Sequence, residues 1–158
     1  MIAVSDTSPI CYLILIGEIG LLQKLFDQVL APQAVFAELC HEDAPDAVRY
    51  WASNLPTWIN VQESPRGAET GMEKLQSGEK ASILLAESAG ADVILLDEKS
   101  ARKVAVARGL RVAGTFAVLG AASLRGLVDL TAAIDRLTKT NFRYSPALLK
   151  ATLDRYAR

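Results

Sequence analysis

At 158 residues, with 51% hydrophobic side chains, the chain is long enough to bury a core and too apolar for disorder. Its formal net charge of −1 supplies no overall pull towards nucleic acid, so a nucleic-acid partner has to be held by a local basic patch. The longest uninterrupted apolar run, Ile10 to Ile16, falls far short of a bilayer span and the N-terminus carries no basic leader, which excludes a membrane protein and predicts a cytoplasmic one.

Ile2-Ala3-Val4 is a short apolar run that stops at Ser5-Asp6-Thr7-Ser8-Pro9, a strand feeding a helix in which Ser8 is suited to the cap and Pro9 to the first turn. Helical text runs to Ile16, Gly17 interrupts it, and Ile19, Leu22, Leu25 and Phe26 mark the apolar face of a second helix. Val29-Leu30-Ala31 is a candidate buried strand, and the segment from Pro32 through Leu39 starts another helix carrying Glu38 about a turn and a half in. Ala44 to Asn54 is helical in composition, Trp58 to Val61 suits a short strand, and Gln62 to Thr70, with Pro65 and Gly67, suits a loop.

Ser77-Gly78-Glu79-Lys80 opens a long helix that ends at Gly90, and Asp92-Val93-Ile94-Leu95-Leu96-Asp97 is the clearest strand, its run from Val93 to Leu96 continuously apolar as in a parallel sheet covered on both faces. Glu98 to Arg108 reads as a helix stopped by Gly109, Leu110 to Ala113 as a strand, and Thr115 to Arg125 as a helix closed by Gly126. From Leu127 the tail is helical, and Ser145-Pro146 begins a last helix. This alternation predicts a three-layer α/β/α sandwich with a mostly parallel central sheet, built as one domain over 1–158. Cys11 and Cys40 lie in apolar helical context without a CxxC pairing, which suits buried thiols in a reducing compartment.

Four acids stand out in this frame. A strand delivers its last residue to the carboxyl edge of the sheet, where open α/β sheets bind ligands, so Asp6 and Asp97 fall on one rim, and Glu38 and Glu79 lie on helices able to reach it. Carboxylates gathered there repel one another and call for a cation. Each alone has an ordinary explanation: a turn for Asp6, a solvated helix for Glu38, a first-turn acid for Glu79, an N-cap for Asp97. Mg²⁺ and Mn²⁺ prefer such oxygen ligands, and a metal-bound water needs no serine or cysteine nucleophile. The sole histidine, His41, sits in a polar His-Glu-Asp stretch and reads as a surface residue.

Val-Ser-Asp-Thr-Ser-Pro, Gly-Glu-Lys-Ala-Ser-Ile, Ala-Asp-Val-Ile-Leu-Leu-Asp-Glu and Gly-Leu-Arg-Val-Ala-Gly-Thr, in this order, resemble the PIN-domain nucleases, and more narrowly the DUF3368 group related to VapC-type toxins. The resemblance extends from Ile2 through the Asn141-Phe142-Arg143-Tyr144-Ser145-Pro146 segment. It implies that Asp6, Glu38, Glu79 and Asp97 are the catalytic acids holding Mg²⁺ or Mn²⁺, that Thr7 and Ser8 line the pocket, and that the reaction is hydrolysis of RNA phosphodiesters. Many PIN proteins carry a further acid two residues beyond the one matching Asp97. Lys99 stands there in this chain, so a second metal position lacks its usual ligand, and Ser100 is left as a weak ligand or a helix cap.

Lys99, Arg102 and Lys103, just beyond Asp97, are candidate RNA contacts or a solvated helix face, and Arg66 offers a further cation in the loop. The resemblance implies a metal-dependent ribonuclease, the toxin of a pair with an antitoxin protein; the alternative is a catalytically weak module that binds RNA or protein. Another α/β phosphotransfer class is disfavoured, since Asp6-Thr7-Ser8 lacks the second aspartate of a DxD turn and no GxxxxGK[ST] loop occurs. Leu13, Ile16 and Leu21 are compatible with a homodimer face or with core packing.

Overall fold

The computed structural model describes residues 1–157. Five strands, β1 (Ile2–Ser5), β2 (Gln28–Pro32), β3 (Ile59–Gln62), β4 (Val93–Leu95) and β5 (Val112–Ala113), form one sheet in the order β3-β2-β1-β4-β5. Every pairing is parallel, with Val4 opposite both Leu30 and Ile94 at the centre. The chain steps outward from β1 to β2 and β3, then returns across the sheet to β4 and β5. Its direction of winding therefore reverses beside β1, the place where α/β sheets open a crevice at their carboxyl edge.

Side-chain alternation along the strands splits the core in two. Val29, Ala31 and Leu95 face a larger cluster built with α1 (Thr7–Leu15), α2 (Leu21–Leu25), α3 (Gln33–Leu39), α4 (Asp46–Ser53), α7 (Thr115–Leu124) and α8 (Leu130–Thr138). Leu30, Ile94 and Leu96 face a smaller cluster built with α5 (Ser77–Ala89) and α6 (Lys99–Ala107), completed by Met72 and Leu75 of the preceding loop. The last helix, α9 (Pro146–Tyr156), packs on α7. The three expected layers are present, and β4 needs only three residues because both of its faces are covered.

Several local expectations are corrected. Helix α1 begins at Thr7 with Asp6 as N-cap; Ser8 does not cap it, because its hydroxyl donates to Asp97 instead. Ser100 does not cap α6 either, since Glu98 holds the N-cap position and Ser100 lies inside the first turn. Ser145 does cap α9, accepting from the Leu148 N–H with Pro146 in the first turn. Leu13, Ile16 and Leu21 are 0, 4 and 2% exposed, so they belong to the core and supply no dimer face. Cys11 is half-buried, but Cys40, at the C-cap of α3, is exposed. The loop after β3 runs on to Gln76, and the tail regains helix only at Leu130.

Gly120, in the middle of α7, lets α9 approach: a Cβ there would stand 2.3 Å from the Tyr156 ring. Gly120→Ala is expected to lower stability by about 1–3 kcal/mol, overpacking outweighing a gain of about 1 kcal/mol in helix propensity. In a Tyr156→Ala background the same change becomes neutral or stabilising. Thermal melts of the four proteins of this cycle measure the coupling.

Candidate active site

Asp6 follows the last residue of β1, and its N–H donates to the Leu95 carbonyl at 3.0 Å, continuing the β1–β4 ladder by one bond. That bond fixes its side chain at the rim beside the reversal of winding. Asp97 lies two residues beyond β4 on the same rim, held by three bonds: the Thr115 N–H at 2.7 Å to Oδ1, and the Thr115 and Ser8 hydroxyls at 2.7 and 2.8 Å to Oδ2. Glu38 comes in from the last turn of α3 and accepts the Thr7 hydroxyl. Its carboxylate lies over Gly78 in the first turn of α5, where a Cβ would stand 2.5 Å from Glu38 Oε1. Glu79, the next residue, reaches back to the Gln76 N–H at 3.0 Å in a capping box, so it both caps α5 and faces the rim.

All four expected acids line one cavity of about 740 Å³, with Glu98 as a fifth carboxylate. Thr7 and Ser8 line it too, as does Ser100, the expected cap. Lys99 and Lys103 lie outside the cavity along α6; Arg102 does not line it either, but its guanidinium reaches the Gly114 junction beside Asp97, and Arg66 lies outside the cavity on the exposed loop. His41 is exposed, with Nδ1 3.6 Å from Asp43.

Two groups of site residues escape sequence reasoning. Thr115 is wholly buried and makes two of the three bonds to Asp97, although it stands 18 residues away in the chain. Its only local signal is Gly114-Thr115 following a strand, the same strand-to-helix junction that marks Asp6-Thr7. Lys74 and the Asn141–Arg143 segment, both outside regular elements, complete the cavity wall.

The acids load the site with unfavourable charge. Asp6 is 6% exposed, and burial, followed by repulsion from Glu79, Glu38 and Asp97, pushes its pKa up to about 7; the Thr7 N–H only partly offsets this. Burial raises Glu79 as well, with Glu98 and Glu38 adding to it against the Gln76 N–H. A hard divalent cation fits this donor set, being oxygen-only and destabilised as anions without a counter-charge. Among the described residues no group of three or more Asp, Glu, His or Cys side chains is drawn in tightly enough to hold an ion.

A doubly wound, all-parallel sheet between helical layers, with acids at its switch point, is consistent with a PIN-like, nuclease-type fold. The family model DUF3368, described as a PIN domain, matches residues 2–158, and the chain belongs to that family. No curated protein and no solved structure matches it significantly. Among the described residues no helix is long and apolar enough to cross a membrane.

The raised pKa of Asp6 makes stability depend on pH in a definite sense. The folded state holds a proton that the unfolded chain releases near its ordinary value of 3.8, so without metal the protein is expected to lose stability as pH rises from about 4 to 7. The loss attributable to Asp6 reaches at most about 4 kcal/mol. Asp6→Asn, with no proton to lose, flattens this dependence and melts at or above wild type at pH 7 in EDTA. Denaturant titrations of both proteins across this range provide the measurement.

Proposed function

We propose that the chain is a divalent-metal-dependent endoribonuclease acting in the cytoplasm, with Asp6, Glu38, Glu79 and Asp97 as the residues that would hold Mg²⁺ or Mn²⁺. The observation that carries this reading is the buried Asp6 carboxylate, surrounded by three further acids at the switch point of the sheet. Such a group is costly to the fold, and a cation is the partner that offsets the cost. When bound, the ion would supply an activated water at neutral pH and neutralise charge on the phosphate.

The chain's own residues set the frame for that chemistry. Asp6 is anchored through its backbone to β4, while Thr115 and Ser8 hold both Asp97 oxygens in a fixed orientation. Thr7 orients Glu38, and the capping bond orients Glu79. Hydroxyl and amide donors placed behind each acid leave the remaining lone pairs for the cavity. Lys99 stands in place of a further acid, while Glu98 beside it lines the cavity and would bring a fifth carboxylate to the ion.

A second reading, a catalytically weak module that binds RNA or protein, draws on the spacing of these acids, none of which form a tight triad among the described residues. The narrower role of toxin paired with an antitoxin rests on family likeness and is tested by induced expression in a bacterial host, where growth arrest by wild type and not by Asp6→Asn supports it.

The purified protein is expected to cleave single-stranded RNA in Mn²⁺ or Mg²⁺ and to stop in EDTA. Asp6→Asn and Asp97→Asn should each lower the rate at least about 100-fold while remaining folded, the order of loss seen when one group stabilising transition-state charge is removed. RNA gel assays with circular dichroism as the folding check measure this; cleavage that persists in chelator, or in both variants, counts against the reading, and metal-independent binding without turnover favours the weak module.

A further inference from the structure

The cavity that holds five carboxylates also holds two cations, Lys74 and Arg143. They arrive from opposite faces of the sheet. Lys74 lies in the loop before α5 between Met72 and Leu75, which are 0 and 8% exposed and belong to the smaller core. Arg143 lies in the connection between α8 and α9, next to Phe142, which is 8% exposed and belongs to the larger core.

Both backbones are pinned where the cation leaves them. The loop of Lys74 is tied down by Arg108, which donates to the Thr70 carbonyl at 3.2 Å and to that of Ala68, and by the Ser64 hydroxyl on the Ala81 carbonyl. Beside Arg143, the Phe142 ring packs 5.0 Å from Tyr12 edge-on and 5.4 Å from Phe116. Tyr144 stacks on Phe142 from the other side, and the Tyr12 hydroxyl donates to Asn141. Neither cation forms an ion pair or a side-chain hydrogen bond among the described residues. Both side chains are exposed, so these cations are open to a ligand arriving from solvent. Presented from anchored segments, on either side of the acids and without partners, they suit an anionic ligand that spans the gap.

We propose that Lys74 and Arg143 grip backbone phosphates on either side of the scissile one, so that a single RNA strand crosses the acid rim from the 63–76 loop to the α8–α9 connection. This rests on the nuclease reading of the rim. Arg143 offers a planar fork for two phosphate oxygens, and Lys74 a point charge. The track replaces Lys99 and Lys103 of α6 as the site of backbone contact, because these two lie outside the cavity.

The test is binding of fluorescein-labelled poly(U) followed by anisotropy over a salt series, in EDTA and again in Ca²⁺, with thermal melts as a folding control. Lys74→Ala and Arg143→Ala are each expected to weaken binding about tenfold and to flatten the log–log salt slope by about 0.7, and the double variant by about twice that. Arg143→Lys should keep the slope and lose part of the affinity. The Lys99→Ala/Lys103→Ala variant should leave the slope unchanged. Because the buried anchors are Met72, Leu75 and Phe142, melts of the single variants should match wild type. If wild type binds poly(U) and the two alanine variants keep its slope, the track is wrong while the nuclease reading stands. A slope lost only with Lys99 and Lys103 moves the contact to α6 and overturns the proposal. Failure of wild type to bind in either condition overturns both.

Discussion

The structure turns on a buried carboxylate in the wrong electrostatic company. Asp6 sits at the end of the central strand, almost wholly out of water, and its backbone bond to Leu95 leaves it no freedom to retreat to solvent. Burial and three neighbouring acids all oppose its ionisation. A fold that needed only a turn after β1 could use a neutral residue here at lower cost. The arrangement becomes intelligible when the rim is regarded as one half of an interaction whose other half is a cation, with stability at the site exchanged for affinity.

The elements around Asp6 are arranged so that the other acids cannot drift away from it. Each is restrained by its own donors: Thr7 on Glu38, Ser8 and Thr115 on Asp97, and the Gln76 N–H, three residues away in the same helix cap, on Glu79. Gly78 plays a matching part, since only the missing side chain lets the Glu38 carboxylate lie against the start of α5. The hydroxyls hold Glu38 and Asp97, and backbone N–H groups hold Asp6 and Glu79.

The two faces of the sheet contribute differently to this centre. The larger core carries α1, α3 and α7 and thereby supplies Glu38, Thr7, Ser8 and Thr115, while the smaller one carries α5 and supplies Glu79. The irregular segments that complete the cavity, one from each face, are held by buried apolar residues and not by the acids themselves. That separation lets the charges at the rim vary without loosening the walls.

Much of this was legible along the chain. Alternating apolar runs and helical stretches reveal the layered α/β plan because strand burial and helix amphipathicity leave their periods in local sequence, and Asp6 and Asp97 follow from it because a strand end is a place on a sheet. Glu38 and Glu79 were found through their resemblance to a family. The Ser8 cap was misjudged because a serine before a first helical turn is a good local acceptor, and nothing local reveals that it is needed as a donor to an acid 89 residues away; at Ser100 the helix starts earlier, with Glu98 as its N-cap. Leu13, Ile16 and Leu21 look exposed in a linear reading, yet packing from other elements buries them. Only the tertiary structure brings Thr115 onto Asp97 and sets Lys74 and Arg143 in the cavity wall, because these depend on which helices the parallel crossovers carry past the rim. Sequence alone determined the kind of sheet and the positions of its two strand-end acids; which hydroxyls orient them and which cations face them was decided by long-range packing, which leaves no local period to read.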